Sequence, residues 1–259
     1  MNQGDSDHYL ARKRFFSRML TVYGRKPVLE ALENKDIQVH RLHLASSNKP
    51  GDLVRKISEL ATSKGAEILH HDKQALSRIS RNAKQDQGVA ADLLCPGFQT
   101  LDQLVEQIKS NALNRDFRIL ALDGITNPQN LGMIIRSACA GNIDAILLPS
   151  KGCAQIDPLT IKASVGTVFR APIVRLDGQL ADALRALKDS KCAIIGLSSR
   201  AQNTLNECPS GNNVFVLGNE THGVSDTTQA TCSDWVKIPM NNGVESLNVA
   251  VTAALIAFH

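Results

Sequence analysis

Short apolar runs punctuate the second half of the chain at Ile119–Leu122, Ala145–Leu148, Ile173–Leu176, Ala193–Leu197, Val214–Leu217 and Trp235–Ile238. Stretches with helical spacing lie between most of them. Near-continuous apolar strands alternating with helices predict a mainly parallel sheet covered on both faces, an α/β arrangement. In such sheets ligands bind beyond the carboxyl ends of the strands. Asp123, Gly218 and Pro239 each directly follow a run, so the loops they open are expected to share one rim.

The first part of the chain carries shorter signals. Pro27–Leu32 and Leu53–Ser63 have helical spacing, Ile37–Leu44 alternates like a strand, and Glu67–Leu69 and Val89–Leu94 are further strand candidates. Pro96-Gly97 opens a connector with a helical pattern over Leu101–Ile108. This reading divides the chain into a basic leader at 1–21, partly helical near its end, and a small α/β domain at 22–95. A linker at 96–117 and the main α/β domain at 118–259 follow.

Composition narrows the class. A chain of 259 residues is long enough for a sizeable core. No apolar run reaches the ~18 residues of a membrane span. The first twenty residues lack the apolar core of a secretory signal, although Ala11–Leu20, which mixes Arg12, Lys13, Arg14 and Arg18 with Phe15 and Phe16, also fits a basic organellar import segment. The six cysteines form no Cys-x-x-Cys pair, and His222 is the one histidine between Cys95 and the last residue, so no metal site is expected. Free thiols in a reducing, cytoplasmic compartment are the expectation. The net charge is +4, and Leu10–Pro27 holds six basic residues and no acidic one, a footprint that suits either a polyanion or plain solubility.

Three segments carry candidate chemistry. Asp123–Arg136 contains Asn130-Leu131-Gly132 at a helix opening, with Arg136 six residues after Asn130. Val214–Val224 runs from a strand into Gly218-Asn219-Glu220, where Gly lets the backbone approach a ligand closely and Glu220 projects into the cleft. Ile238–Leu255 reads as a strand end, a polar loop, then a helix whose opening holds Ser246 and Asn248. Free N–H groups and the positive helix end favour a polar ligand there. Each has a bland alternative: an N-cap Asn with a surface Arg, a strand-to-helix turn, and a Ser246 cap followed by a polar first turn. His222 reads as a loop residue, and His70-His71 as a surface pair. No Gly-x-Gly, P-loop or nucleophile elbow is present, which removes the common dinucleotide, nucleotide-hydrolysis and esterase readings.

In order and spacing the three segments resemble the three motifs of the SpoU (TrmH-like) ribose methyltransferases of the SPOUT superfamily. Val22-Tyr23-Gly24, Val28–Leu32 and Gln87-Gly88-Val89-Ala90 resemble the substrate-binding domain of its ribosomal-RNA guanosine methyltransferase branch, except that Gln85-Asp86 stands where a His is common. The resemblance implies a trefoil-knotted C-terminal domain, a homodimer, and transfer of a methyl group from S-adenosylmethionine to a ribose 2′-hydroxyl of RNA. Asn130, Arg136, Glu220, Ser246 and Asn248 are then the catalytic set. Leu197, Gly218, Glu220, Ile238, Met240 and Leu247 surround the cofactor. No metal is required. Because arginine stays protonated, Arg136 is expected to act through its charge, on a phosphate and on the developing oxyanion. Ribosomal RNA is the favoured substrate and transfer RNA the alternative; a non-catalytic RNA-binding protein is the reading from another class. The sequence stops soon after its last helix begins, so that helix is expected to be short.

Overall fold

The computed structural model describes residues 3–48 and 51–259, which fall into two compact units, 1–96 and 97–259. The first unit contains α1 (Gln3–Ser17), β1 (Met19–Tyr23), α2 (Arg25–Glu33), β2 (Gln38–Ala45), α3 (Asp52–Ser63), β3 (Glu67–His71), α4 (Lys73–Ser80) and β4 (Val89–Leu94). Its four strands lie in the order β1-β4-β2-β3, antiparallel except for the parallel β2–β3 pair. Val28, Ala31 and Leu32 of α2 and Ile57 and Ala61 of α3 are buried, the helical spacing that turns one face inward.

Met19–Thr21 belongs to β1, so the stretch read as a leader supplies an edge strand, paired Met19 to Leu94 through Tyr23 to Ala90. Helix α4 was not anticipated; its eight residues are opened by Asp72, whose carboxylate accepts the Ala75 N–H at 2.7 Å. A polar line crosses all four strands. Thr21 donates to Asp92 at 2.7 Å, the other Asp92 oxygen pairs with His43 Nε2 at 3.0 Å, and His43 Nδ1 meets His71 Nε2 at 2.9 Å. His71 is therefore part of the sheet's internal network rather than a plain surface residue.

The second unit contains α5 (Leu101–Lys109), β5 (Arg118–Leu122), α6 (Pro128–Ala140), β6 (Ala145–Pro149), α7 (Pro158–Ala163), β7 (Ile173–Leu176), α8 (Leu180–Asp189), β8 (Ala193–Leu197), β9 (Asn203–Thr204), β10 (Asn213–Leu217), α9 (Asp226–Gln229), β11 (Asp234–Lys237) and α10 (Val249–Phe258). The seven strands form one sheet in the order β7-β6-β5-β10-β8-β11-β9, and every pairing is parallel. Five consecutive buried positions in β6 and four in β5 and β10 reflect cover on both faces, which is why these strands read as unbroken apolar runs.

The stretch read as a linker is part of this core. Helix α5 is opened by a reciprocal cap between Thr100 and Gln103, and its Leu104 and Ile108, with Phe117, join the cluster around Val174, Leu184 and Val214. At the other end of the chain, Arg118 donates to the Ile256 carbonyl at 2.7 Å while its guanidinium stacks over Phe215 at 5.7 Å, tying the last turn of α10 to the sheet. Such a cation complements the negative helix end.

Candidate active site

The parallel registers bring the carboxyl ends of neighbouring strands together. Leu217 pairs with Leu122, Val216 with Gly196, and Val236 with Leu197. Leu197, Gly218 and Ile238 therefore end or follow three adjacent strands, β8, β10 and β11, on the rim where open α/β sheets bind ligands.

Above that rim, side chains from all three motif segments form one hydrogen-bonded chain. Asn127 caps α6, accepting the Gln129 N–H at 2.8 Å, and Pro128 takes the first helical position, where its missing N–H is not needed. Asn130 then sits at the third helical position, 7% exposed. Its amide nitrogen donates to Glu220 Oε1, and its oxygen accepts from Asn248 Nδ2 at 3.1 Å. Asn248 caps α10 by accepting the Ala250 N–H at 2.8 Å. That cap fixes the orientation of the whole chain: Asn248 oxygen to the helix, Asn248 nitrogen to Asn130, Asn130 nitrogen to a Glu220 oxygen that must accept.

Several expectations shift in detail. Asn248, not Ser246, is the cap; Ser246 lies two residues earlier on the exposed loop and makes no hydrogen bond among the described residues. Arg136 is not in the chain. Six residues at ~100° each turn it about 120° away from Asn130, so it lies exposed on α6 with no ion pair among the described residues. Gly218 does permit a close backbone approach, but the partner is its own loop: a Cβ there would overlap the Gly223 carbonyl carbon. His222 is an exposed loop residue, as read.

Sequence reasoning passed over three residues. Asn219 binds both ends of the turn, donating to the Gly124 carbonyl at 2.8 Å and accepting the Thr221 and His222 N–H groups at 2.9 and 3.1 Å. It holds the Glu220 loop against the first motif. Asp123 accepts the Ser225 N–H at 2.7 Å and secures the loop's far end. Gly132 lets α6 touch α7, since a Cβ would lie 2.5 Å from that of Ala163 and 2.6 Å from the Thr160 carbonyl oxygen. All three lie inside the motif segments, where polar or small residues next to the obvious candidates were the available signal.

The rim residues suit an amphipathic cofactor. Leu197, Ile238 and Met240 are half-buried and Leu247 is exposed, so apolar surface remains open beside the strand ends. The main-chain N–H groups of Ile238, Met240 and Leu247 have no acceptor among the described residues. No cluster of three or more metal-binding side chains occurs among the described residues, and no helix there is long and apolar enough to cross a membrane. No disulfide joins any of the six cysteines, and burial pushes the Cys192 and Cys232 thiols up to about 11.

Known proteins are similar to this chain in sequence and in fold. Residues 118–258 match the SpoU rRNA Methylase family, and residues 21–93 match the RNA 2′-O ribose methyltransferase substrate-binding family. A 23S rRNA (guanosine-2′-O-)-methyltransferase, RlmB, of Xanthomonas campestris pv. campestris is 32% identical over 92% of this chain and 94% of its own length. An uncharacterized tRNA/rRNA methyltransferase of Mycolicibacterium vanbaalenii is 30% identical over 91% of this chain and 74% of its own. The fold is that of AviRb from Streptomyces viridochromogenes, solved with AdoMet (TM-score 0.60, 24% identity, 94% of this chain and 89% of that one). It is also that of an AdoMet-bound rRNA methyltransferase from Sinorhizobium meliloti (TM-score 0.62, 22% identity, 93% of this chain and 86% of that one). With both matched regions in order along one chain, and with that similarity to RlmB, this protein belongs to the SpoU rRNA methylase family and is an RNA methyltransferase of that family.

Proposed function

We propose that the protein methylates the ribose 2′-hydroxyl of a guanosine in large-subunit ribosomal RNA, with S-adenosylmethionine as methyl donor. The observation that carries this is the Glu220–Asn130–Asn248 chain, which gathers one polar residue from each motif beside the strand ends. The guanosine and the ribosomal RNA rest on the similarity to RlmB over nearly the whole of both chains. Transfer RNA is the second reading, favoured by the tRNA/rRNA naming of the Mycolicibacterium relative.

When bound, the donor supplies a methyl group on a positively charged sulfur. Leu197, Gly218, Glu220, Ile238, Met240 and Leu247 would hold it, offering apolar side chains and main-chain N–H groups as contacts. The protein's own task is to make an alcohol nucleophilic. Asn130 holds Glu220 as an acceptor facing the reacting hydroxyl, and Ser246 and Asn248 order the same spot from the third motif. Arg136, exposed and unpaired among the described residues, grips the adjacent phosphate and stabilises oxyanion character. No residue here has to be an arginine base.

The working unit is a homodimer. Val251, Leu255 and Phe258 form a stripe on α10 that is 47%, 43% and 66% exposed. A helix apolar on all sides belongs in an interior. With Leu205, Ile238 and Pro239 the stripe lines a cavity of about 610 Å³, which a second copy fills. The last segment is threaded through a preceding loop as the resemblance implies, and the enzyme works in the cytoplasm, where free thiols persist. Incubation with tritiated donor and total RNA tests the activity: label in ribosomal RNA supports the reading, label confined to transfer RNA supports the second, and no label in any RNA refutes both.

A further inference from the structure

The first unit contains a cavity of about 590 Å³, within the ~300–1,000 Å³ range of small-ligand sites. Its wall includes Arg25, Lys73 and Lys84, with Asp86 as the one acidic residue. Neither lysine side chain has an ion pair or hydrogen bond among the described residues. Asp86 does not neutralise them from the mouth. It is 7% exposed, one oxygen accepts the Ser80 hydroxyl and the other the Gly88 N–H, both at 2.9 Å. The cavity thus presents positive charge outward and keeps its negative charge in the floor.

The floor is rigidly built. Gln87 and Gly88 take positive φ of 52° and 76°, a conformation that favours glycine. A Cβ on Gly88 would overlap Asn48 Oδ1. Asn48 donates to the Gly88 carbonyl at 2.7 Å, and Arg25 donates to the Gln87 carbonyl at 3.2 Å and to Asn48 at 3.3 Å. Gln87 Oε1 accepts the Arg25 main-chain N–H at 3.1 Å, leaving its NH₂ as a donor. Those bonds occupy the side-chain oxygens of Asn48 and Gln87, while the Gln87 NH₂ and the Lys73 and Lys84 ammonium groups remain as donors in the wall. No aromatic side chain lines the wall, so a base is not held here by stacking.

We infer that this cavity binds one phosphate-bearing nucleotide of the RNA substrate, its phosphate held by Lys73, Lys84 and Arg25 and its base edge facing the Gln87 donor. A cationic, donor-rich, acceptor-poor pocket matches phosphate oxygens and the acceptor edge of a purine. Bases enter such pockets from loops and single strands, where they are unstacked. This rests on the RNA methyltransferase reading, and assigns a substrate contact to the first unit alone.

The test uses the full chain and deproteinised 23S ribosomal RNA, with dissociation constants measured from 50 to 200 mM KCl. Each phosphate contact contributes roughly 0.7–0.9 to the slope of log affinity against log salt. The Lys73→Ala/Lys84→Ala double variant, which strips that one phosphate of both lysines, should lower the slope by about 0.7–0.9. Ala83→Trp fills the exposed mouth without changing charge, and should weaken binding about tenfold at an unchanged slope. Both variants should bind S-adenosylmethionine like the parent, which checks their fold. Unchanged RNA affinity in both variants overturns the pocket while parental binding keeps the RNA reading intact. A lower slope in the lysine variant with no effect of Ala83→Trp also overturns it, leaving a flat charged surface. A parent that binds no RNA overturns the underlying reading itself.

Discussion

Asn130, from the early part of the second unit's sequence, connects two partners from its late part, Glu220 and Asn248, and its orientation is set by the cap on α10. Asn130→Asp replaces a donor with a second carboxylate facing Glu220, a like-charge contact that raises one of the two carboxyl pKa values. We expect a stability loss of about 1–3 kcal/mol and a fall in single-turnover rate of about a hundredfold. Thermal melting and rapid-quench assays measure the two, and an unchanged rate would remove the chain from the mechanism. Arg136→Ala behaves differently, because Arg136 is exposed and holds nothing in place. Melting temperature and cofactor affinity should match the parent, while methyl transfer falls by the ~10²–10³-fold that loss of one charge-stabilising group brings. Near-parental turnover would exclude Arg136 from catalysis.

At the scale of elements, Gly132 sets the distance between α6 and α7. Gly132→Ala should destabilise the protein by roughly 1–3 kcal/mol through overpacking, read as a lower urea midpoint at an unchanged slope. A stabilised variant, as helix propensity alone predicts, would contradict that packing. The polar line across the first sheet makes its stability pH-dependent. Burial, then the neighbouring His43, lowers the His71 pKa below the ordinary 6.5. Burial raises the Asp92 carboxyl, but hydrogen bonds from His43 and Thr21 outweigh it and leave the group below its ordinary 3.8. In both cases the unfolded chain takes up the proton first, so stability is present above the ordinary value and lost as pH falls through the lowered one. The full chain should therefore lose stability just below pH 6.5, and again below 3.8. His71→Asn should remove the first step only; a first step that persists would assign it to another group. The strands of the second unit were legible because cover on both faces forces unbroken apolar runs, and Ile173–Leu176 and Ala193–Leu197 match their runs at both ends. Strand β1 was hidden because its burial alternates and a basic helix precedes it. Helix α4 was hidden by its brevity, and α5 lost its place in the core because its surroundings read as a connector. At the site, motif order marked Asn130, Glu220 and Asn248, but no spacing could show which of them touch, that Asn248 is the cap, or that Asn219 binds the loop to Gly124.

For the whole molecule, the proposed dimer rests on the exposed stripe of α10. Leu255→Glu places a charge in the centre of the proposed interface, and the protein should sediment as a monomer with its fold retained and its methyl transfer much reduced. A dimer that persists would move the interface elsewhere. In the proposed function the two units divide the work, the first reading RNA and the second holding the rim at which the 2′-hydroxyl reacts. That central claim predicts where the methyl group goes. Ribosomal RNA treated with the enzyme and donor, digested to nucleosides and resolved by mass spectrometry, should yield a guanosine carrying the added methyl on its ribose. A template with a single 2′-deoxy substitution at that nucleotide should still bind through its phosphates, yet accept no methyl group. A methyl group recovered on the base, with the ribose unmodified, would contradict the account.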